Sequence, residues 1–324
     1  MSNLVQIGAR RSTSESDAST RPARRPEWLR IRISTPESYR KVKGLVDRLQ
    51  LNTVCQEARC PNIYECWGEH GTATFMILGD TCTRRCGFCA VKTGKPPAPP
   101  DPLEPGHLAE AVDVMNLRHA VITSVDRDDL KDGGAQHWAD VITAVHERVP
   151  ACGVEVLTPD FRAVPDALDI VLGAEPEIFS HNMETVPRMY RQARPGSKYE
   201  RSLDLLADAA ARAATGGYRP RGREGIVKTS VMVGLGETRE ELESTIRDIR
   251  SAGVEVLAIG QYLQPTQDHL PVDRFVHPDE FAEYKAYAHE LGFSHCEAGP
   301  LVRSSYHAHE HVGASLREPA MAVG

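Results

Sequence analysis

Ala73-Thr-Phe-Met-Ile-Leu78 runs through Gly79-Asp80-Thr81 into Cys82-Thr-Arg-Arg-Cys86-Gly-Phe-Cys89, so a short apolar segment feeds directly into a loop of three closely spaced cysteines. Such a run has the length and composition of a buried strand, and polar chemistry on the loop that follows is the habit of β/α folds. The pattern repeats downstream. Further strands are expected at Ala120–Val125, Val154–Thr158, Ile178–His181, Val227–Val233, Val256–Gln261 and Phe293–Glu297. Amphipathic helices fit between them at Gln136–Arg148, Val164–Leu172, Ser202–Ala214, Arg239–Ala252 and Pro278–Leu291. Successive βα units of this kind predict an α/β fold, a partial (β/α)6 TIM-type barrel, with an open doubly wound sheet as the alternative. Polar clusters fall where either architecture builds a site: Ser124-Val-Asp-Arg-Asp-Asp129, His181-Asn-Met-Glu184 and Gly234-Leu-Gly-Glu237 each follow a strand.

Upstream lies a second triad, Cys55-Gln-Glu-Ala-Arg-Cys60-Pro-Asn-Ile-Tyr-Glu-Cys66. Six of the eight cysteines therefore occupy two groups of three. The expected organisation is a flexible polar tail (1–25), an N-terminal extension carrying the first triad (26–71), the barrel (72–292) and a C-terminal extension (293–324). Tyr39–Leu49 reads as a helix ahead of the first triad, and the Pro-rich stretch Lys92–Pro105 as a stiff connector.

The bulk composition narrows the function classes. With 324 residues, 41% hydrophobic and 26% charged, the chain suits a soluble globular protein, and no apolar run approaches the roughly 20 residues of a membrane span. No secretory signal is evident, so a cytoplasmic, reducing setting is expected, where clustered cysteines act as metal or redox ligands rather than disulfides. A net charge of −7 argues against general nucleic-acid binding.

Three thiolates on one loop can hold three irons of a 4Fe-4S cluster and leave the fourth iron open for a ligand. A structural zinc site is the alternative, but it calls for four closed ligands, and no fourth is evident nearby. The Cys82-x3-Cys86-x2-Cys89 spacing, with Phe88 before the third cysteine, resembles the radical S-adenosylmethionine superfamily. The first triad, together with Pro26-Glu-Trp-Leu, Asn62-Ile-Tyr-Glu-Cys66-Trp, Thr158-Pro-Asp160, Gly260-Gln-Tyr-Leu-Gln-Pro265 and Arg303-Ser-Ser-Tyr-His-Ala308, is similar to the lipoyl synthase family over nearly the whole chain after the tail.

That resemblance implies two 4Fe-4S clusters and S-adenosyl-L-methionine. Cys82, Cys86 and Cys89 would hold the catalytic cluster, with Phe88 beside the adenine. Cys55, Cys60 and Cys66 would hold an auxiliary cluster whose fourth ligand is Ser304. The implied reaction inserts two sulfur atoms, at C6 and C8, into an octanoyl chain on a lysine of a carrier protein. Implied partners are octanoylated lipoyl domains of 2-oxoacid dehydrogenase E2 subunits, the glycine cleavage H protein, an electron donor such as ferredoxin or flavodoxin, and an iron–sulfur carrier that rebuilds the auxiliary cluster. The other readings are a methylthiotransferase, which usually appends a nucleic-acid-binding domain, and a simple iron–sulfur electron carrier.

Further candidates each carry a plainer reading. Ser124 and Asp126 are candidate cofactor contacts, or part of a solvated turn. Asn182 and Glu184 would bind the methionyl amine or the ribose, or cap the following helix. The Gly234–Glu237 stretch reads as a tight turn approaching adenine or ribose, or as a helix start. Arg303 is a candidate substrate contact, with a surface ion pair as its plainer role. Arg191, Arg194, Lys198, Arg201, Arg219, Arg221, Arg223 and Lys228 would form a docking patch for an acidic carrier domain, or ordinary surface charge. Cys152 and Cys296 read as small buried hydrophobes, and His307, His309 and His311 as a solvated tail.

Overall fold

The computed structural model describes residues 25–29, 37–57, 60, 62–67 and 74–305. The expected tail and His307, His309 and His311 lie outside the described residues. The first long element, α1 (Glu37–Arg48), buries Val42, Leu45 and Val46, with Leu49 just beyond its end; this i, i+3, i+4, i+7 spacing makes one apolar stripe. Strand β1 (Asn52–Thr53) follows and pairs antiparallel with β2 (Thr74–Ile77). Between them the short helices α2 (Val54–Glu57) and α3 (Ile63–Glu65) carry or flank the first cysteine triad, which is thereby fixed to the edge of the main sheet.

The chain then makes a two-residue ladder, β3 (Thr81–Cys82) against β4 (Lys92–Thr93), and enters α4 (Glu104–Val114). This helix was not expected, because the prolines from Pro96 to Pro105 read as a connector. Pro105 sits in the first turn, where its missing N–H has no intrahelical partner to lose. Leu108, Ala111 and Val112 give α4 its buried stripe.

The remaining elements alternate: β5 (His119–Ser124), α5 (Ala135–Arg148), β6 (Gly153–Leu157), α6 (Ala167–Gly173), β7 (Ile178–Ser180), α7 (Tyr190–Ala193), α8 (Tyr199–Ala214), β8 (Ile226–Val233), α9 (Arg239–Ser251), β9 (Val256–Gln261), α10 (Pro278–Glu290) and β10 (His295–Gly299). The sheet order is β1-β2-β5-β6-β7-β8-β9-β10, and every pair from β2 onward is parallel.

This order decides between the two architectures. A doubly wound sheet reverses its progression at a switch point, whereas here each new parallel strand is added on the same side as the last. With crossovers of one hand, all helices lie on one face of the sheet and the other face turns inward, which is a partial barrel. Six βα units and a closing seventh strand make it. Strands β2 and β9 are buried along their whole length, as strands covered on both faces must be. Among the described residues no helix is long and apolar enough to cross a membrane.

Candidate active site and auxiliary cysteine triad

The turn that delivers the second triad begins immediately after β2. Leu78 and Gly79 both take positive φ (69° and 96°), swinging the chain off the sheet into the cysteine loop. Arg84, in the middle of the first spacer, ties this loop to its neighbours. Its guanidinium grips Asp128 with two hydrogen bonds (2.9 and 2.8 Å), donates to Ser197 Oγ at 3.0 Å and lies 2.7 Å from Asp160 Oδ1. The backbone adds Thr83 N–H to Asp126 O (3.0 Å), Gly87 N–H to Ala193 O (2.8 Å) and Leu270 N–H to Gly87 O (2.9 Å). The three cysteines are thus displayed on a loop clamped from three directions.

Cys82, Cys86 and Cys89 are unpaired and line one cleft of about 150 Å³. Burial pushes the Cys82 and Cys86 thiols up to about 12; for Cys82 the carboxylate of Asp126 adds to the effect. Thiols in such surroundings do not ionise unaided near neutral pH. A multivalent cation draws the protons off and supplies the charge that the burial disfavours.

The walls of the cleft come from the ends of successive strands. Ser124, Val125 and Asp126 lie at the end of β5, Leu157, Thr158 and Pro159 at the end of β6, and His181, Asn182 and Glu184 follow β7; Arg84, Phe88, Val91, Thr93 and Arg194 complete the lining. Glu184 has φ of +67°, uncommon for a residue with a side chain, and its backbone is held there by β8: its N–H donates to Ser230 O at 3.0 Å and its carbonyl accepts from Met232 N at 2.8 Å. Its carboxyl is pushed up by burial, with Arg194 opposing. His181 is buried. Its Nδ1 faces Thr158 O at 2.8 Å, an acceptor only, so Nδ1 carries the proton and Nε2 accepts from the Ser202 hydroxyl at 2.9 Å. Burial and then the Arg194 charge hold it down to about 3, so it stays neutral.

Polar atoms facing this cleft are left unmatched. Ser124 Oγ, Asn182 Oδ1 and Arg194 Nε are buried without a hydrogen-bond partner. Arg194 otherwise donates through Nη1 to Asn182 O at 2.8 Å and stacks over Tyr190, 5.6 Å from the ring centroid. Buried polar groups are normally satisfied, so three around one cleft indicate a ligand that both donates and accepts. Three thiols and this polar lining fit an iron–sulfur cluster with a small zwitterionic ligand.

Every residue expected to contact the cofactor, namely Phe88, Ser124, Asp126, Asn182 and Glu184, lines this cleft. Asn182 donates to Glu184 Oε1 at 3.2 Å. His181 and Arg194 were missed as site residues. The expected basic patch does not exist as one surface. Arg194 is buried in the cleft, Lys228 is buried against Glu155 at 2.9 Å, and Arg201 is paired with Asp160 at 2.8 Å. Arg221 binds Glu177 and the Cys152 carbonyl, at the end of the barrel opposite the cleft. The Gly234–Glu237 stretch is a turn outside the cleft lining, with Glu237 accepting from Gly234 N (2.6 Å) and Leu235 N (2.9 Å). Cys152 and Cys296 are fully buried.

The segment after β10 meets the lobe of the first triad. Cys60 N–H donates to Cys55 O at 3.1 Å, and Cys66 N–H to Asn62 O at 2.9 Å. Burial and then the neighbouring Cys60 push the Cys55 thiol up to about 12. After β10 the chain returns to this lobe: Asn62 Nδ2 donates to Leu301 O at 2.9 Å, and Thr74 Oγ1 to Ser305 Oγ at 3.0 Å. The Arg303 charge acts on the Cys60 thiol and opposes the upward shift that burial causes. Arg303 also donates to Val302 O at 2.7 Å, so it is no exposed ion-pairing residue. Ser304 stands between two residues anchored at this lobe.

Comparison with known proteins agrees with this layout. The profile of the Radical SAM superfamily matches residues 76–249, and that of the N-terminal domain of lipoyl synthase of the Radical SAM family matches residues 10–60. The crystal structure of Streptococcus suis SuiB bound to S-adenosylmethionine shares the fold, with a TM-score of 0.52 at 12% identity over 82% of this chain and 63% of that one. The lipoyl synthase of Methylococcus capsulatus is 54% identical over 288 residues, 89% of this chain and 86% of the relative. That of Flavobacterium johnsoniae is 50% identical over 293 residues, 90% of this chain and 97% of the relative. With such identity over about nine-tenths of its length, the chain belongs to the lipoyl synthase family of radical SAM enzymes.

Proposed function

We propose that this chain inserts two sulfur atoms, at C6 and C8, into an octanoyl group borne on a lysine of a lipoyl carrier protein, using two S-adenosyl-L-methionine and an auxiliary 4Fe-4S cluster as the sulfur donor. The observation that carries this reading is the return of the Leu301–Ser305 segment to the first triad, through Asn62 and Thr74. A chain that needed only the radical cluster would have no use for that closure.

Cys82, Cys86 and Cys89 would hold the cluster that binds S-adenosyl-L-methionine, and Cys55, Cys60, Cys66 and Ser304 the auxiliary one. When bound, the reduced cluster and S-adenosyl-L-methionine supply a 5′-deoxyadenosyl radical that removes hydrogen from an unactivated carbon, and the auxiliary cluster supplies sulfur. The chain's own residues do the positioning. Ser124 Oγ, Asn182 Oδ1 and Arg194 Nε offer donors and acceptors to the polar ends of the cofactor, Asp126 and Glu184 offer carboxyls to its amine and ribose, and Phe88 offers an aromatic face. Val91, Val125, Leu157 and Pro159 give the cleft apolar walls that limit water around a reactive radical. Ser304 would offer the auxiliary cluster a hard oxygen where thiolate is the usual partner, the bond easiest to release. Arg303 acts on the Cys60 thiol and would offset negative charge at the auxiliary lobe, and it remains the proposed substrate contact there.

The proposed partners are those that family membership implies: octanoylated E2 lipoyl domains or glycine cleavage H protein as substrate, a ferredoxin or flavodoxin as reductant, and an iron–sulfur carrier for rebuilding. All eight cysteines are free, which suits a reducing cytoplasm.

The test is mass spectrometry of an octanoyl-lysine peptide after anaerobic incubation with S-adenosyl-L-methionine and reductant. The expected product has gained two sulfurs and lost two hydrogens, and a peptide unchanged in mass while 5′-deoxyadenosine accumulates would count against sulfur insertion. Anaerobically reconstituted protein is expected to carry about eight irons, one four-iron cluster per triad. About four irons, or zinc, would remove the second cluster.

Gly260, in β9, gives a further check. A methyl group there would run into the carbonyl oxygen of Val302, the residue that leads into Arg303 and Ser304. Gly260→Ala is therefore expected to push the C-terminal segment off the auxiliary lobe and lower sulfur insertion about tenfold or more, about 1.4 kcal/mol of barrier. Cleavage of S-adenosyl-L-methionine should change much less, and parallel loss of both would show that the substitution acts on the whole barrel.

A further inference from the structure

The cysteine loop carries two consecutive arginines with opposite fates. Arg84 is buried among Asp126, Asp128 and Asp160. Arg85 is exposed, lies outside the cleft lining and, among the described residues, has no hydrogen-bond or ion-pair partner. The segment 191–198 packs against the same loop: Ala193 O accepts from Gly87 N at 2.8 Å, and Ser197 Oγ from Arg84 at 3.0 Å. This segment exposes Arg191 and Lys198, likewise without a partner among the described residues. Some exposed arginines elsewhere are neutralised locally, as in Arg48 with Glu110, Arg188 with Glu241 and Arg239 with Glu243, whereas Arg40, Arg118 and Arg162 are exposed without an ion pair among the described residues. The exposed carboxylates Glu200 and Asp268, on adjoining segments, bound the patch. On a chain of net charge −7, three exposed cations without an ion-pair partner among the described residues, on the cysteine loop and the segment packed against it, give local positive charge.

We infer that Arg85, Arg191 and Lys198 form the docking surface for an acidic one-electron carrier protein. The inference rests on the proposed function, which requires an electron to reach the cluster held by Cys82, Cys86 and Cys89. Electron transfer falls steeply with distance, so the donor must meet the surface where this loop comes closest to solvent. The cleft side is taken by cofactor and substrate, and the outer side with Arg85 remains. Complementary charge there steers encounter and fixes orientation, and both effects weaken with salt because the screening length is about 10 Å at 0.1 M.

The experiment compares 5′-deoxyadenosine formation driven by an acidic reduced flavodoxin with formation driven by dithionite, for the reconstituted parent and the Arg85→Glu/Arg191→Glu protein. At low salt the flavodoxin-driven rate of the variant should fall about tenfold or more while the dithionite-driven rate stays within about twofold, a size typical of lost electrostatic steering. Added salt should slow the parent with flavodoxin and narrow the gap. Lys198→Glu alone should show a smaller change of the same kind. If the double reversal impairs folding or cluster loading, seen as lost visible absorption, Arg85→Gln/Arg191→Gln gives the same comparison. Equal loss with both reductants, or none with flavodoxin, overturns the inference. So does a defect that appears with dithionite only on full carrier protein and not on octanoyl peptide, which would assign the patch to the substrate carrier. A parent that forms no 5′-deoxyadenosine with dithionite would overturn the enzymatic reading itself and the donor surface with it.

Discussion

Ser304→Ala is expected to lower sulfur insertion on the order of a hundredfold, about 2.7 kcal/mol of barrier, while cleavage of S-adenosyl-L-methionine stays within about twofold of the parent. The separation follows from where Ser304 lies. Its neighbours are committed to the auxiliary lobe: Arg303 acts on the Cys60 thiol, and Ser305 accepts from Thr74. No residue of the Leu301–Ser305 segment lines the cleft that holds Cys82, Cys86 and Cys89. Removing one hydroxyl from that segment leaves the radical-forming cleft untouched and takes away only the proposed fourth ligand of the other cluster. Ser304→Cys sharpens the test. A thiolate should restore iron content to the first triad, yet release sulfur poorly because it binds iron more tightly than an alkoxide. Equal loss of cleavage and insertion in Ser304→Ala, or full insertion in Ser304→Cys, would falsify the ligand assignment. Iron analysis, 5′-deoxyadenosine yield and lipoyl peptide mass read the three effects separately.

How far such effects were legible before the fold was known depends on the range of the interaction. Apolar periodicity is local, so the strands of the barrel and the helices α5, α8, α9 and α10 lie within a few residues of where their spacing put them. Helix α4 escaped because the prolines before it dominate the local signal, although Pro105 in a first turn followed by Leu108, Ala111 and Val112 is itself a helix-start pattern. Charged residues were the harder case. Lys228 reads as surface charge until β6 brings Glu155 to it from 73 residues away, and Arg194 reads the same way until the turn after β7 folds it over Tyr190 and into the cleft. A spacing motif names ligands and a strand end names a loop. Which side of the loop each cation takes is decided by partners distant in sequence.

The two arginines of Cys82-Thr-Arg-Arg-Cys86 put that point to a measurement. Arg84→Met keeps the length of the side chain and removes its charge, and about 3–5 kcal/mol of stability should go with it, because truncating one member of a buried ion-pair group leaves uncompensated charge behind. The Arg84 side chain is only 2% exposed and serves Asp126 at 3.2 Å, Asp128 at 2.8 Å and Asp160 at 2.7 Å. The three carboxylates do not respond alike. Asp160, held also by Arg201, sits well below the usual carboxylate range, whereas burial pushes Asp126 up despite the same guanidinium, which it meets without good hydrogen-bond geometry. For Asp160 the sign is that of a depressed group: the stability it contributes is in place above the ordinary carboxylate range and is lost as pH falls through its lowered pKa. The stability difference between Arg84→Met and the parent should therefore be largest near neutral pH and shrink as acid protonates the stranded carboxylates. Arg84→Lys should recover only part of it, since an ammonium cannot reproduce the two-pronged grip on Asp128. Because Arg84 ties the cysteine loop to the loops after β5 and β6, the iron content of the second triad should fall along with stability, while that of the first triad holds. Denaturant midpoints of the anaerobically reconstituted proteins across pH, with iron per chain, test this. A loss below about 1 kcal/mol, the size of a surface pair, would mean that Arg84 is not the clamp on the catalytic loop.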